Sequence, residues 1–238
     1  MKRLGVNIDH VATVRNARGL FHPDPVSIAK YVMECGAHSV TIHLREDRRH
    51  IKDLDVIKIC KNKRIITNLE ISLNENIIRI ALKNKPNFIC IVPENRKEIT
   101  TEGGLNLLKN KNKIKKILDI FKKNKIRTSL FINPTSNDVL LSKELGAECI
   151  EIHTGRFANL VKSKKKTYNE LLRIKKSCKL ANDIGLEVHA GHGLDYKSTE
   201  ILSKITEIKE FNIGHFIIGE SIFYGIKTVI KKFKKIIK

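Results

Sequence analysis

Tryptophan is absent, and aromatic residues make up only 5% of the 238 residues. A chain this poor in rings offers few platforms on which bases could stack. Long hydrophobic runs are also missing, and none approaches the ~18 residues that a membrane span needs. The opening Met1-Lys2-Arg3-Leu4-Gly5-Val6-Asn7-Ile8-Asp9 turns polar too early for the core of a signal peptide. Cysteine is sparse. Cys35, Cys60, Cys90, Cys149 and Cys178 are odd in number, widely spaced and without a Cys-x-x-Cys pair. That argues against a disulfide framework or a structural zinc site and for a reducing cytoplasm. Acidic residues are few as well, 25 against 46 Lys and Arg, for a net charge of +21.

A nucleic-acid partner is the sharp reading of so much positive charge. The bland reading comes first here. Lysine outnumbers arginine 34 to 12 and is spread along the whole chain, as solvated faces would be. Neither a nucleic-acid nor a membrane partner is expected. An RNA-binding protein would betray itself by tight binding that weakens steeply with salt. The charge should still steer small phosphorylated molecules toward the protein.

What is present is a repeat of short apolar runs rich in β-branched residues. Eight are seen: Leu4–Asp9, Ser39–Leu44, Ile66–Ile71, Phe88–Val92, Ile126–Ile132, Glu148–His153, Leu186–Ala190 and Phe211–Gly219. Near-continuous apolar character marks strands covered on both faces, as in parallel sheets. Helical patterns lie between them. Asp24-Pro25 reads as an N-cap with Pro in the first helical position, and Gly36, Gly146 and Gly185 read as stops. Ile201, Ile205 and Ile208 form a seventh helical face, and Ile222, Ile226, Val229, Ile230 and Phe233 the last. The basic stretch Lys227–Lys238 then reads as an amphipathic outer helix. Eight units of about 30 residues fit an α/β fold of the (β/α)₈ TIM-barrel type, in one domain over residues 1–238. An open doubly wound sheet fits less well, because no Gly-x-Gly-x-x-Gly follows the first strand. Two loops stand out: Arg96–Lys111, long and polar with Gly103-Gly104 inside, and the Lys162–Lys166 charge run, read as a solvated loop.

The apolar runs end in polar groups at their C-terminal sides. Examples are Asn7-Ile8-Asp9-His10, His43-Leu44-Arg45-Glu46-Asp47, Asn68 with Glu70, Glu151 with His153, and Gly214-His215. In a barrel such ends converge on one mouth, where chemistry is done. Any one of them alone reads as well as a satisfied structural group. The set does not, because several unpaired buried carboxylates each cost several kcal/mol unless a partner or ligand meets them. No His-x-His or His-Glu-x-x-His spacing is present, so no metal site is expected. A serine elbow and a Walker loop are also missing. Ala190-Gly191-His192-Gly193 and Gly214-His215 follow the seventh and eighth runs, where barrels often bind phosphate on backbone N–H groups and a helix N-terminus. Arg45-Glu46-Asp47-Arg48-Arg49-His50 could hold a second phosphate. Another phosphosugar barrel enzyme, such as an epimerase or metal-dependent aldolase, stays open on these grounds, although no strand end offers a lysine.

Longer motifs narrow the reading. Gly5-Val6-Asn7-Ile8-Asp9-His10-Val11-Ala12-Thr13, Arg15-Asn16-Ala17-Arg18-Gly19, His43 to His50, Asn68-Leu69-Glu70, Val92-Pro93-Glu94, Thr100 to Gly104, Glu151-Ile152-His153-Thr154-Gly155, Ala190-Gly191-His192-Gly193-Leu194 and Asn212-Ile213-Gly214-His215 resemble, in order and over essentially the whole chain, the pyridoxine 5'-phosphate synthase family. The resemblance implies a (β/α)₈ enzyme of vitamin B6 biosynthesis. It would condense 1-deoxy-D-xylulose 5-phosphate with 3-amino-2-oxopropyl phosphate, without metal or organic cofactor, as a homo-octamer. It implies His43 and Glu70 as proton acceptors, His192 as proton donor and Glu151 as transition-state stabiliser. It places Asn7, Arg18, Gly193, Gly214 and His215 on the amino-ketone phosphate. Asp9, His10, Arg45, His50 and Thr100 fall on the deoxyxylulose phosphate, with a mobile lid around Thr100–Gly104. Two departures lie outside these motifs: a Lys-rich Arg156–Thr167 segment that looks longer than the family pattern, and His189 in place of the expected Asn, which bears on the tuning of its neighbour His192. Glu70, between Leu69 and Ile71, should have a raised pKa through desolvation.

Overall fold

The computed structural model describes residues 1–94 and 103–238. Eight strands, β1 (Arg3–Asn7), β2 (Ser39–His43), β3 (Thr67–Ile71), β4 (Phe88–Ile91), β5 (Arg127–Ile132), β6 (Cys149–His153), β7 (Glu187–Gly191) and β8 (Ile208–Ile213), pair in parallel in sequence order. Pairing of β8 with β1, from Arg3 beside Glu210 to Val6 beside Ile213, closes the barrel. The outer ring is α2 (Pro25–Glu34), α3 (Asp53–Lys61), α4 (Glu75–Asn84), α5 (Lys111–Lys123), α6 (Ser136–Leu145), α8 (Tyr168–Asp183), α9 (Tyr196–Ser203) and α11 (Ile226–Ile236). Asp24 caps α2 as its sequence predicts, its carboxylate accepting from the N–H groups of Val26 and Ser27. In α11, Val229, Ile230 and Phe233 are buried, each contributing roughly 1.5–3 kcal/mol. The lysine-rich C-terminal stretch is therefore an outer-ring helix packed on the barrel.

Three further helices correct the simple repeat. Among the described residues α1 (Asp9–Arg18), α7 (Gly155–Lys162) and α10 (His215–Tyr224) sit directly after β1, β6 and β8, ahead of the ring helices. Asp9 therefore opens a helix and does not share a strand face with Asn7. The Lys162–Lys166 run begins with the last residue of α7 rather than after β6, and leads from α7 to α8. The eighth strand is Ile208–Ile213, not Phe211–Gly219: the ladder with β1 ends at Ile213, and Gly214 turns the chain into α10. Phe216, Ile217 and Ile218 read as a strand because β-branched residues bury well in either element. Ile208 likewise belongs to β8 and not to the seventh helical face, and Gly225 divides the last helical pattern in two.

Strands that read as continuously apolar alternate instead. In β2, Val40 and Ile42 pack outward with no exposed surface, while Thr41 and His43 face the axis. The barrel interior is polar in two tiers. In the middle tier, Asn68 donates to Thr41 at 3.3 Å, Thr41 to Asn212 at 3.4 Å and Asn212 to Glu151 at 2.7 Å. At the N-terminal end, Arg3 donates to Glu210 at 2.7 Å and also bonds Glu187, while Arg127 reaches Glu187 at 3.0 Å. His189 belongs to this floor: its Nε2 lies 2.8 Å from Glu187. The expectation that His189 perturbs His192 is thereby corrected: its ring is taken up by Glu187 and Arg3, and the shift of His192 comes from burial and Lys162.

Candidate active site

Asp9 is the hinge of the mouth. Asn7 donates to its Oδ2 at 2.8 Å, and its Oδ1 accepts the backbone N–H of His43 at 2.9 Å. The start of α1 is thereby tied to the end of β2. On the other side, the Thr154 hydroxyl donates to the carbonyl oxygens of Gly191 and His192 at 2.7 and 2.8 Å, pinning the turn after β7. His192 sits there at φ +79°, a left-handed conformation that a non-glycine residue keeps only where surroundings enforce it.

Between these ends lies a cavity of about 360 Å³, ample for a small phosphorylated substrate. Asn7, Asp9, His10, His43 and Arg45 form one wall. Glu70 and Glu151 face it from β3 and β6. His192, Gly193, Gly214 and His215 complete the rim. Eleven of the residues singled out in the sequence thus meet at one cavity. His50 stands just behind, its ring 6.0 Å from that of His43. Arg18 does not join them: it is exposed at the last turn of α1. Thr100 and most of the expected lid lie outside the described residues. The part that is described packs down, with Gly104 N–H on the Asn133 side chain and Leu105 N–H on the Phe131 carbonyl.

Val92 and Asn212, which lie in the quoted motifs but were given no role, also line the cavity. Phe131, outside every motif, lines it too and packs edge-on against His153 at 5.3 Å. Strand alternation was the available signal, since Phe131 lies two residues on from Ser129 on the inward face. Glu94 stands behind His43, within 3.8 Å of its ring.

Burial sets the electrostatics. It pushes Glu70 well above the ordinary carboxylate range, with Glu151 and Asp9 adding repulsion. Glu151 rises to about 7 by burial, opposed by the Asn212 hydrogen bond. Asp9 is raised by burial against the pull of His50. Burial moves the imidazoles the other way. His43 falls to about 3, helped by His50 and Arg45, and His10 to about 4, helped by His215. His192 is lowered by burial and then by Lys162. The cavity thus sets His10, His43 and His192, all lowered, beside Asp9, Glu70 and Glu151, all raised, a set arranged for proton transfer. Asp9, His43 and His50 also bring ligand atoms within 4.8 Å of one another, as do Cys149, Glu187 and His189. In both sets some of these atoms are already engaged. Asp9 is engaged as above, His50 Nδ1 accepts the Ile51 N–H at 2.9 Å, and Arg3 and Arg127 already hold Glu187.

Comparison with known proteins decides the family. Residues 4–238 match the family described as pyridoxal phosphate biosynthesis protein PdxJ. The chain is 70% identical over 236 residues to the pyridoxine 5'-phosphate synthase of Pelagibacter ubique, covering 99% of both chains. The chain belongs to the pyridoxine 5'-phosphate synthase family. A second such synthase, from Zymomonas mobilis, is 47% identical over 98% of this chain and 90% of its own. Solved structures show the shared TIM-barrel fold and no more. A phosphoribosylanthranilate isomerase from Thermotoga maritima superposes with a TM-score of 0.61 at 14% identity, covering 100% of this chain and 98% of its own. A 4-hydroxy-2-oxoglutarate aldolase does so at 0.65 and 10%, covering 99% and 94%.

Proposed function

We propose that this member of the pyridoxine 5'-phosphate synthase family condenses 1-deoxy-D-xylulose 5-phosphate with 3-amino-2-oxopropyl phosphate, releasing pyridoxine 5'-phosphate, inorganic phosphate and water. The observation that carries the proposal is the meeting of Glu70, Glu151, His43 and His192 on one cavity whose rim also carries backbone turns suited to phosphate. The substrate amine attacks the pentulose ketone and loses water to give a Schiff base. Inorganic phosphate then leaves, and carbon–carbon closure onto the amino-ketone carbonyl, with loss of a second water and further proton shifts, makes the aromatic ring. Each step moves protons, and positioned acids and bases supply roughly 10²–10⁴-fold per transfer.

The substrates themselves set the protonation states. An ammonium entering among Asp9, Glu70 and Glu151 favours their ionised forms, and Glu70, once ionised, is a strong base because its carboxylate is desolvated. Phosphate groups favour protonated imidazoles, which turns His192 into a donor. Asn7, Gly193, Gly214 and His215 take the amino-ketone phosphate. Asp9, His10, Arg45 and His50 take the pentulose phosphate, with Arg45 and His50 stabilising the departing anion. Roles for Arg18 and Thr100 rest on the resemblance alone.

The whole chain works as one barrel domain without metal or organic cofactor, in the cytoplasm, where its five free thiols persist. No helix among the described residues is long and apolar enough to cross a membrane. Homo-octamer assembly has a surface that suits it: Phe21, Ile222, Phe223 and Tyr224 are each more than 60% exposed. Incubating the protein with both substrates and following pyridoxine phosphate absorbance and phosphate release tests the reaction. No pyridoxine phosphate, with chelator-sensitive activity on a phosphosugar in its place, would instead favour a metal-dependent phosphosugar barrel.

A further inference from the structure

We infer that Glu94 is a positioning residue for His43: it keeps the ring hydrogen on Nε2 and leaves Nδ1, the nitrogen beside Glu70, as the lone pair that takes the substrate proton. The inference deepens the reading of His43 as a proton acceptor and rests on it.

The ring of His43 stands between two carboxyl groups. Its Nδ1 lies 3.7 Å from Glu70 Oε2, and its Nε2 lies 3.8 Å from Glu94 Oε2. The two carboxyls are not equivalent. Glu70 lines the cavity, and Glu94 does not. The Glu94 side chain is 1% exposed, at the end of the short segment that follows β4. His43 Nε2 and Glu94 Oε2 are both buried without a hydrogen-bond partner, and they face each other. A buried polar atom left unpaired costs roughly 1–3 kcal/mol, so pairing these two removes two costs at once. The present 3.8 Å is beyond a hydrogen bond. Catalytic hydrogen bonds are often long before substrate binds and tighten in the complex.

The rest of Glu94 is fixed for this task. Its Oε1 accepts the backbone N–H of Glu46 at 2.9 Å, with Arg45 Nε 3.7 Å away. Glu46 is tied in turn to Ser72, whose hydroxyl donates to its Oε1 at 3.0 Å. Burial pushes the Glu94 carboxyl up, with Glu46 and Asp47 adding repulsion, while the Glu46 N–H and the Arg45 guanidinium pull it back. In the ionised form, which a protonated His43 favours, the carboxylate only accepts. The hydrogen between the pair must then sit on Nε2. Orienting carboxylates behind catalytic imidazoles act in this way. The proton balance is simple. Nδ1 takes a proton from the substrate, the ring becomes imidazolium, and Glu94 stabilises that charge without accepting the proton. The proton leaves again through Nδ1, to the hydroxyl that departs as water.

The test uses the full chain labelled with ¹⁵N-histidine. Long-range ¹H–¹⁵N spectra report which ring nitrogen of His43 carries hydrogen, its signals being assigned by their loss in His43→Gln. The wild type should show the Nε2–H form, and Glu94→Gln should move His43 toward Nδ1–H. In the same variant kcat should fall roughly 10- to 100-fold with KM within about threefold, and Glu94→Asp should recover part of the loss. A wild-type His43 in the Nδ1–H form overturns the inference and needs no Glu94 variant to fold. So does a Glu94→Gln enzyme with unchanged tautomer and near-normal turnover. If the wild type makes no pyridoxine phosphate, the functional reading fails instead, and the tautomer measurement still stands by itself.

Discussion

Asn212 donates to Glu151 at 2.7 Å in the middle of the barrel, and this bond opposes the burial that lifts Glu151 to about 7. The pair has a consequence for stability. In the unfolded chain a glutamate titrates near its usual value of 4.5. Between that value and about 7 the folded protein binds the extra proton, so stability declines as pH rises through this window. Glu151→Gln removes the titration. The variant should gain stability relative to wild type as pH goes from 5 to 8, by on the order of 3 kcal/mol at most, seen as a rising melting-temperature difference, and lose activity. Equal gains at both pH values in thermal melts would disprove it.

Glu70 should separate chemistry from binding. It is buried, repelled by Glu151 and Asp9, and faces His43 across 3.7 Å. Glu70→Gln keeps the shape and removes the base. Turnover should drop roughly 10²–10⁴-fold, while calorimetric titration with either substrate gives affinities close to wild type. Turnover like that of wild type would remove Glu70 from the proton transfers.

Most of this site was legible because barrel topology collects strand ends. His43, Glu70, Glu151 and His192 are far apart in the chain, yet each lies at or near the end of an apolar run, and the closed parallel sheet brings those C-terminal ends to the same mouth. Alternation was harder to see. His189 stands three residues before His192, but inward-facing positions on β7 put it in the charged floor with Glu187 and Arg3. The inserted helices α1, α7 and α10 were hidden for another reason. Phe216-Ile217-Ile218 has strand-like composition, and only the end of the β8–β1 ladder at Ile213 forces it into a helix. Arg18 carried a family motif, but a single chain leaves it exposed, and no local pattern could show that.

The apolar surface around α10 makes assembly testable. Ile222 and Phe223 are 79% and 78% exposed, and Phe21 is 93% exposed. Large apolar side chains clustered on a surface mark a contact site. Phe223→Asp places a charge there without touching the core. Light scattering coupled to size exclusion should find wild type as an assembly of many subunits and the variant as smaller species. A wild-type monomer would remove the octamer from the functional proposal.

Two glycines should respond in opposite ways to the same methyl group. At Gly191, on β7, an added Cβ would stand 2.0 Å from Glu151 Oε1. Glu151 cannot retreat without breaking its bond to Asn212, so the clash falls on the cavity wall itself. Gly191→Ala should destabilise the protein by about 1–3 kcal/mol, as overpacking does, and abolish turnover. Gly219 lies inside α10 with open space where a Cβ would go. Glycine costs a helix roughly 0.5–1 kcal/mol relative to alanine, so Gly219→Ala should raise the urea midpoint slightly and leave turnover unchanged. Chemical denaturation of both variants, read with the same assay, decides the pair. A stable, active Gly191→Ala protein would mean that Glu151 moves freely, and its role in holding a transition state would fall with that.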